Sequence, residues 1–169
     1  ANQKHSNLPA EASERIIAKF DKMRFADGGK PTAEIRNEMQ LIMQNHAGVF
    51  RTEKTLKKGI EKLATTLESF NAVSVSDKGL IWNTDLIETF ELENLLGQAM
   101  ITMQCALKRE ETRGAHARDD FPERDDENWL KHSLGWLNDD NTTRIDSQPV
   151  KLDTRSDEIE SIPLKTRVY

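Results

Sequence analysis

The sequence predicts a mainly α fold, namely an antiparallel helical bundle of three to four helices followed by a long ordered loop and a small C-terminal β-hairpin. Three observations predict it. Apolar residues recur at helical spacing through residues 12–107. A stretch dense in mixed charge, residues 111–134, has no helical or strand period before Asn128. Side chains then alternate on either side of a polar turn, as they do in a hairpin.

Each predicted helix begins near a proline or a capping residue and carries one apolar stripe. The third has the cleanest period, because its apolar residues from Leu56 to Phe70 follow the 4-3-4-3 spacing of antiparallel packing. The fourth spans about thirty residues, or roughly 45 Å, which is longer than a small core needs, so part of it should pack on something outside the chain. The segments are Pro9 to Asp27, Pro31 to Gly48, Thr52 to Phe70, and Asn83 to about Arg113.

The hairpin is predicted from alternation between Trp129 and Leu137, a turn at residues 138–141 and a second strand from Thr142 to Ser147. The polar tail beyond it should cross a surface. We find no internal repeat and expect one domain overall. Its parts are a linker or cloning remnant at 1–8, the helical bundle at 9–113, an ordered charged loop at 114–127, the β-hairpin at 128–150 and an extended C-terminal tail at 151–169.

Composition narrows the possible functions of this chain of 169 residues. Its net charge of −5 comes without a dominant Lys/Arg stripe, which argues against nucleic-acid binding. No apolar run approaches the roughly 18 residues of a membrane span, and no signal segment opens the chain, so no direct membrane insertion is expected. The start at Ala1 is interpreted as a truncation boundary. The lone Cys105 is interpreted as a small buried hydrophobe in a reducing compartment.

The charged stretch is the candidate site. Its imidazoles and carboxylates are possible metal donors, but it lacks the spacing of a zinc or calcium site, and nearby arginines favour a network of Arg/Asp hydrogen bonds. We predict no catalytic, cofactor-binding or metal-binding residue, and expect Arg113 and Arg118 to hold the loop against Asp119, Asp125 or Asp126. The candidate loop-locking or docking residues are Arg113, His116, Arg118, Asp119, Arg124, Asp125 and Asp126.

Four segments resemble, in order, the C-terminal domain of succinate dehydrogenase flavoprotein subunits. The resemblance covers nearly the whole chain from about Phe20, and its end is similar to the natural C-terminus of that subunit. Fumarate reductase flavoproteins and L-aspartate oxidases share the helical part, but residues 124–129 and the tail fit the succinate enzyme better. The segments are 39–51, 82–92, 163–169 and the run Arg113-Gly114-Ala115-His116-Ala117-Arg118-Asp119-Asp120-Phe121-Pro122 with its continuation through 124–134.

The resemblance implies part of an enzyme of the tricarboxylic acid cycle that oxidises succinate to fumarate on covalent FAD and passes electrons through an iron-sulfur subunit to quinone. The family's flavin and substrate motifs lie N-terminal to this region. No cofactor is therefore expected in the chain itself, and FAD is expected in the parent subunit. The chain should be structural and inactive alone, docking on the flavin-binding domain of the same subunit and contacting the iron-sulfur subunit.

The implied location is a membrane-bound complex at the cytoplasmic side of a bacterial inner membrane, or the matrix side if the complex is mitochondrial. Several alternatives stay open. In the first alternative, the chain is the corresponding domain of a fumarate reductase or L-aspartate oxidase. In the second, it is an independent helical module that binds a protein through the arginines of residues 111–134. A metal-dependent hydrolase using His116 and the aspartates is the remaining alternative.

Overall fold

Helices account for most of the regular structure in the computed structural model, which describes residues 7, 9, 11–154, 156 and 158–165. The predicted linker at 1–8 lies, Asn7 apart, outside the described residues, as do residues 166–169 of the predicted tail. A mainly α fold is confirmed. The helices are α1 (Ala12–Arg24), α2 (Thr32–His46), α3 (Glu53–Ser69) with a 3-10 turn at Phe70–Ala72, α4 (Thr84–Lys108) and the single-turn α5 (Asp126–Trp129).

Side-chain caps fix the starts of the two central helices. At α3, the Thr52 hydroxyl accepts from the Thr55 backbone N–H at 3.2 Å, while the Thr55 hydroxyl accepts from the Thr52 N–H at 2.9 Å. At α4, the side-chain oxygen of Asn83 accepts from the Leu86 N–H at 2.8 Å. These caps satisfy backbone donors that have no partner within the helix. Helix starts expected from local sequence are therefore found where the caps lie.

The core lies where α2, α3 and α4 meet. Ile35, Leu63, Leu92, Leu96 and Met103 are completely buried. Burial of one such side chain contributes roughly 1.5–3 kcal/mol to folding before conformational entropy is counted. Apolar packing between these three helices thus supplies the framework on which the charged loop is mounted.

Helix α4 ends at Lys108, short of the predicted end near Arg113. Arg109 leaves the helix with ψ 100 and turns its guanidinium toward the hairpin, donating to the Trp129 carbonyl at 2.6 Å and the Lys131 carbonyl at 2.9 Å. The helix is therefore roughly 37 Å long at ~1.5 Å per residue, not 45 Å. The last apolar residue of the stripe is Leu107, and tertiary hydrogen bonds end the helix although Lys108 to Glu111 are good helix formers.

Two short parallel strand pairs connect distant parts of the chain. Strand β1 (Lys30–Pro31) pairs with β3 (Val73–Ser74), and β2 (Phe50–Arg51) pairs with β4 (Ala117–Arg118). The second pair matters for the site, because it brings the charged loop beside the start of α3.

The predicted hairpin is confirmed: β5 (Lys131–Leu137) and β6 (Thr143–Pro149) are antiparallel, with a turn in which Asn141 has φ 63. Its first strand begins after Trp129, because that residue ends α5. The hairpin packs closely on α4. A Cβ on Gly135 would lie 2.6 Å from Ile101 Cγ2 and 2.9 Å from Cys105 Sγ, so only glycine permits this approach.

The described part of the tail, 151–154, 156 and 158–165, contains no helix or strand. The Arg124 guanidinium donates to the Lys165 carbonyl at 2.8 Å, which places this part of the tail against the charged loop. Within these described ranges and the rest of the described chain, no helix is both long enough and apolar enough to cross a membrane.

Helix α3 packs closely against α2 and α4 at Gly59. A Cβ there would lie 2.6 Å from His46 Cβ and 2.8 Å from Met103 Sδ. Because His46 Cβ is fixed to α2, we expect Gly59→Ala to destabilise by about 1–2 kcal/mol despite its better helix propensity. The matched control is Gly97→Ala on α4, whose nearest new contact is Leu137 Cδ2 at 3.5 Å and which should stabilise by about 0.5–1 kcal/mol. Urea unfolding followed by circular dichroism measures both, and equal effects of the two substitutions would contradict this packing.

Candidate functional site

The loop between α4 and β5, residues 109–130, is named here the arginine loop. Two of its charged residues are buried, since Glu111 has a relative exposure of 0% and Arg118 of 1%. Isolated buried charges are costly, so each must be paired and hydrogen-bonded for the fold to be stable. The structure meets that requirement with two separate clusters.

Arg118 is the centre of the first cluster. Its Nη1 donates to three carbonyls at the end of α4, those of Ala106 and Leu107 at 3.0 Å and of Arg109 at 3.2 Å. Its Nε and Nη2 donate to both carboxylate oxygens of Asp120, at 2.8 Å and 3.0 Å. A guanidinium beside carbonyls that lack helical partners also complements the negative end of the helix dipole.

Asp120 links the first cluster to α3. Its Oδ2 accepts from the backbone N–H of Glu53, the first residue of α3, at 2.6 Å. The hydrogen bonds from Arg118, with that from Glu53, outweigh desolvation and hold the pKa of Asp120 at about 2. One ion pair therefore joins the end of α4 to the start of α3.

Glu111 is the centre of the second cluster. It accepts from Arg109 Nε at 2.9 Å, from Arg113 Nε at 2.7 Å and Nη2 at 2.9 Å, and from the Asp125 backbone N–H at 3.0 Å. Burial opposes its ionisation, but the hydrogen bonds from Arg113, Asp125 and Arg109 outweigh burial, so the pKa of Glu111 lies below its ordinary value. A single carboxylate thus holds two guanidinium groups and the backbone of the loop.

Arg113 extends this cluster to the later part of the loop. Its Nη2 donates to Asp126 at 2.7 Å and to the Asp125 carbonyl at 3.2 Å, and Arg124 donates to the other oxygen of Asp126 at 2.7 Å. Arg113 also opens a tight turn that His116 closes through paired backbone hydrogen bonds of 2.8 and 3.0 Å, and Gly114 lies within the turn with φ 59, a conformation that favours glycine. The hydrogen bonds to Glu111 and Asp126 raise the pKa of Arg113, and those from Arg113 and Arg124 lower the pKa of Asp126.

His116 lies between the two clusters and Arg51 of β2. Its Nε2 faces the Arg109 carbonyl at 3.1 Å, and its Nδ1 faces Arg51 Nη1 at 3.1 Å. A carbonyl only accepts and a guanidinium only donates, so the ring is neutral with its proton on Nε2. Burial, with the nearby positive charges, lowers the pKa of His116 in agreement with a neutral ring.

The structure brings most of the predicted residues together, although with different partners. Arg113 meets Asp126 and the backbone of Asp125, within the predicted set. Arg118 pairs with Asp120 and not with Asp119, whose backbone N–H donates to the Arg51 carbonyl at 2.8 Å. Asp125 caps α5 by accepting from the Glu127 and Asn128 N–H groups. The locking and docking roles of these residues stay a prediction.

The set of candidate residues predicted from the sequence left out Glu111, Asp120, Arg109 and Arg51. The spacing contained a signal for Arg109, Glu111 and Asp120. Arg109, Glu111 and Arg113 follow one another at intervals of two residues, and alternate residues of an extended segment share one side. Arg118 and Asp120 have the same spacing. Arg51 had no such signal, since only the pairing of β2 with β4 brings it to the loop.

A cleft of about 610 Å³ opens beside the arginine loop, between α4 and β5. Its lining contains Arg51, His116 and Lys131 together with apolar groups such as Ile101. Cys105 also lines it, but burial raises the pKa of that thiol more than Lys108 lowers it, which disfavours the nucleophilic thiolate. In the part of the chain that the structure describes, no group of three or more His, Cys, Asp or Glu is placed to hold a metal ion.

Comparison with known proteins places this sequence in one family. The family model described as "Fumarate reductase flavoprotein C-term" matches residues 36–169. A mitochondrial succinate dehydrogenase [ubiquinone] flavoprotein subunit of Oryza sativa is 52% identical over 168 residues, covering 99% of this chain and 26% of the relative. The succinate dehydrogenase flavoprotein subunit of Rickettsia bellii is 44% identical over 98% of this chain and 28% of its own length. This chain thus spans about a quarter of the length of these relatives.

Solved structures of similar proteins have a similar fold. A mutant of Escherichia coli quinol fumarate reductase superposes with a TM-score of 0.80 at 38% identity, covering 89% of this chain and 27% of that chain. A quinol-fumarate reductase with menaquinol gives a TM-score of 0.82 at 36% identity, covering 90% and 27%. An adenylylsulfate reductase from Archaeoglobus fulgidus gives 0.71 at 21% identity, covering 87% and 26%, and shows the fold alone.

We expect Arg113→Ala to destabilise the chain by roughly 3 kcal/mol, because it removes two of the charge-assisted bonds to the buried Glu111. The matched control is Arg124→Ala, which removes an exposed partner of the same Asp126 but none of Glu111 and should change stability little. Thermal unfolding of both variants measures the difference. An Arg113→Ala variant as stable as the Arg124→Ala variant would contradict the importance assigned to Glu111.

His116 should make stability depend on pH. Because its pKa is lowered in the folded chain, its contribution is complete above the ordinary value of about 6.5 and is lost as pH falls through that value toward the folded pKa. We expect the chain to lose more stability than a His116→Gln variant between about pH 7.5 and about pH 5.5. Urea unfolding at both pH values measures this, and equal losses would show that His116 is not held neutral.

Proposed function

The chain belongs to the C-terminal domain family of succinate dehydrogenase and fumarate reductase flavoprotein subunits, and we propose that it serves as a structural and docking domain of a succinate dehydrogenase flavoprotein. The parent subunit would oxidise succinate to fumarate on FAD and pass electrons through an iron-sulfur subunit to quinone. The reacting groups would lie in the portion that precedes this domain. The chain alone would then bind no flavin and catalyse no oxidation.

The observation that carries a structural role is the use of charge in the arginine loop. The carboxylates of Glu111, Asp120 and Asp126 each accept from at least one guanidinium, at distances between 2.7 and 3.0 Å. Their pKa values are lowered, so these groups stay ionised and are poorly suited to general acid or base work near neutral pH. Such a loop holds helices and the hairpin in place.

Exposed apolar side chains support a docking role. Leu80, Ile81 and Trp82, which precede α4, are 64%, 82% and 94% exposed, and Trp82 has φ 54. Large apolar groups in a row are rarely left in water, and they are typical of surfaces that meet another part of a protein. We propose that the flavin-binding portion of the same subunit covers part of this surface.

Succinate oxidation is favoured over fumarate reduction by similarity. Identity is 52% to the plant succinate dehydrogenase subunit and 41% to the fumarate reductase subunit of Escherichia coli. A fumarate reductase is the second candidate, because its solved structures share the fold at TM-scores of 0.80 and 0.82. In either case the complex would be membrane-bound, at the cytoplasmic side of a bacterial inner membrane or the matrix side of a mitochondrial one.

The chain and the full-length subunit, purified in parallel, test this proposal. We expect flavin absorbance and succinate-dependent dye reduction from the full-length subunit and neither signal from the 169-residue chain. When the preceding portion is expressed as a separate polypeptide, the chain should co-purify with it. A flavin spectrum or dye reduction from the chain alone would disprove its inactivity, and failure to co-purify would count against docking.

A further inference from the structure

The cleft beside the arginine loop has an excess of positive charge. Arg109, Arg113 and Lys131 line it together with Arg51 and the neutral His116. Arg109 and Arg113 are neutralised by Glu111 and Asp126 at 2.7 Å. The charges left without a carboxylate among the described residues are those of Arg51 and Lys131, so the cleft is electropositive where these two residues lie.

Arg51 differs from the arginines of the loop. Its Nε donates to the Gly48 carbonyl at 2.9 Å and its Nη1 to His116 Nδ1 at 3.1 Å. A guanidinium has five N–H donors, and these two are the ones with partners in the part of the chain described. Burial lowers the pKa of Arg51, in agreement with the lack of a carboxylate partner for its guanidinium among the described residues.

The two hydrogen-bond partners of the Arg51 side chain, the Gly48 carbonyl and His116, supply no negative charge. His116 is neutral, because its Nε2 proton is directed at the Arg109 carbonyl. Lys131 also lines this cleft, and its ammonium lies 4.9 Å from the centre of the Trp129 ring in a cation–π contact. The pair thus offers a forked donor and a point charge to one cleft, an arrangement suited to a carboxylate.

We propose that this cleft receives an aspartate or glutamate side chain from the flavin-binding portion of the same subunit. The inference rests on the proposed function and identifies one contact of the docking surface. Two observations select this occupant. The charge of the cleft is complementary to a carboxylate, and about three quarters of each relative's length lies outside the region that this chain matches, in a family defined by its C-terminal position. The guanidinium of Arg51 would bind the carboxylate, and Lys131 would lie beside it.

Zero-length cross-linking of the full-length subunit with a carbodiimide tests this inference, because the reagent joins an amine to a carboxylate only when the two are in contact. We expect an amide between Lys131 and an acidic residue of the preceding portion. Arg51→Gln should lower its yield by roughly tenfold, because the charge-assisted bonds that hold the carboxylate are lost. The matched control is Arg144→Gln, which removes an exposed guanidinium stacked 4.0 Å from the Trp136 ring and should leave the yield unchanged.

Several outcomes would overturn the inference. A Lys131 cross-link to this chain's own residues, to the iron-sulfur subunit or to a second copy would assign the cleft another occupant. If the preceding portion still co-purifies with the chain but Lys131 gives no cross-link, the inference fails while the proposed function stands. If Arg51→Gln does not fold by circular dichroism, Arg51→Lys serves instead. It retains the charge without the fork, and its cross-link should be weaker than that of the unaltered subunit; an equal yield would contradict a role for the fork.

Discussion

The ion pair between Arg118 and Asp120 is the contact on which the charged end of this structure depends. Arg118 binds the last carbonyls of α4, and Asp120 binds the first N–H of α3, so one pair meets the negative end of one helix dipole and the positive end of another. The desolvation of Arg118 is offset by these bonds. With the pKa of Asp120 at about 2, the contribution of the pair is complete above the ordinary value of about 3.9 and is lost as pH falls toward 2.

The second cluster depends on the first through Arg109. Its carbonyl accepts from both Arg118 and His116, which fixes the point where the chain leaves α4, and its guanidinium then reaches Glu111 and the start of the hairpin. A hairpin of two strands is marginal in water without such support. Packing of Gly135 on α4 and the bonds from Arg109 together hold it, so electrostatic contacts in the loop and apolar contacts on the helix act on the same element.

The elements that sequence alone predicts are those specified by neighbours in the chain. The helix starts at Thr52 and Asn83 follow from local caps, and the hairpin follows from alternation around a polar turn. The end of α4 at Lys108 does not follow from the local sequence, because contacts with the hairpin determine it. The partners of the arginines are equally non-local in origin. Asp120 is selected over Asp119 because its carboxylate also reaches the start of α3, a contact that no pattern in residues 111–134 encodes.

Among the charged residues of this region, the most informative is the one whose charge has no partner of opposite sign in the described part of the chain. In the arginine loop, Glu111, Asp120 and Asp126 are bound by guanidinium groups, and the histidine and aspartates that suggested chemistry lie in hydrogen bonds with side chains and backbone of the same region. Arg51 lies outside that stretch and its charge has no carboxylate among the described residues. Partial burial of such a charge is unfavourable unless another part of the molecule supplies a group of opposite charge. The residue with the weakest signal in the sequence therefore marks the surface where the rest of the subunit is expected to bind.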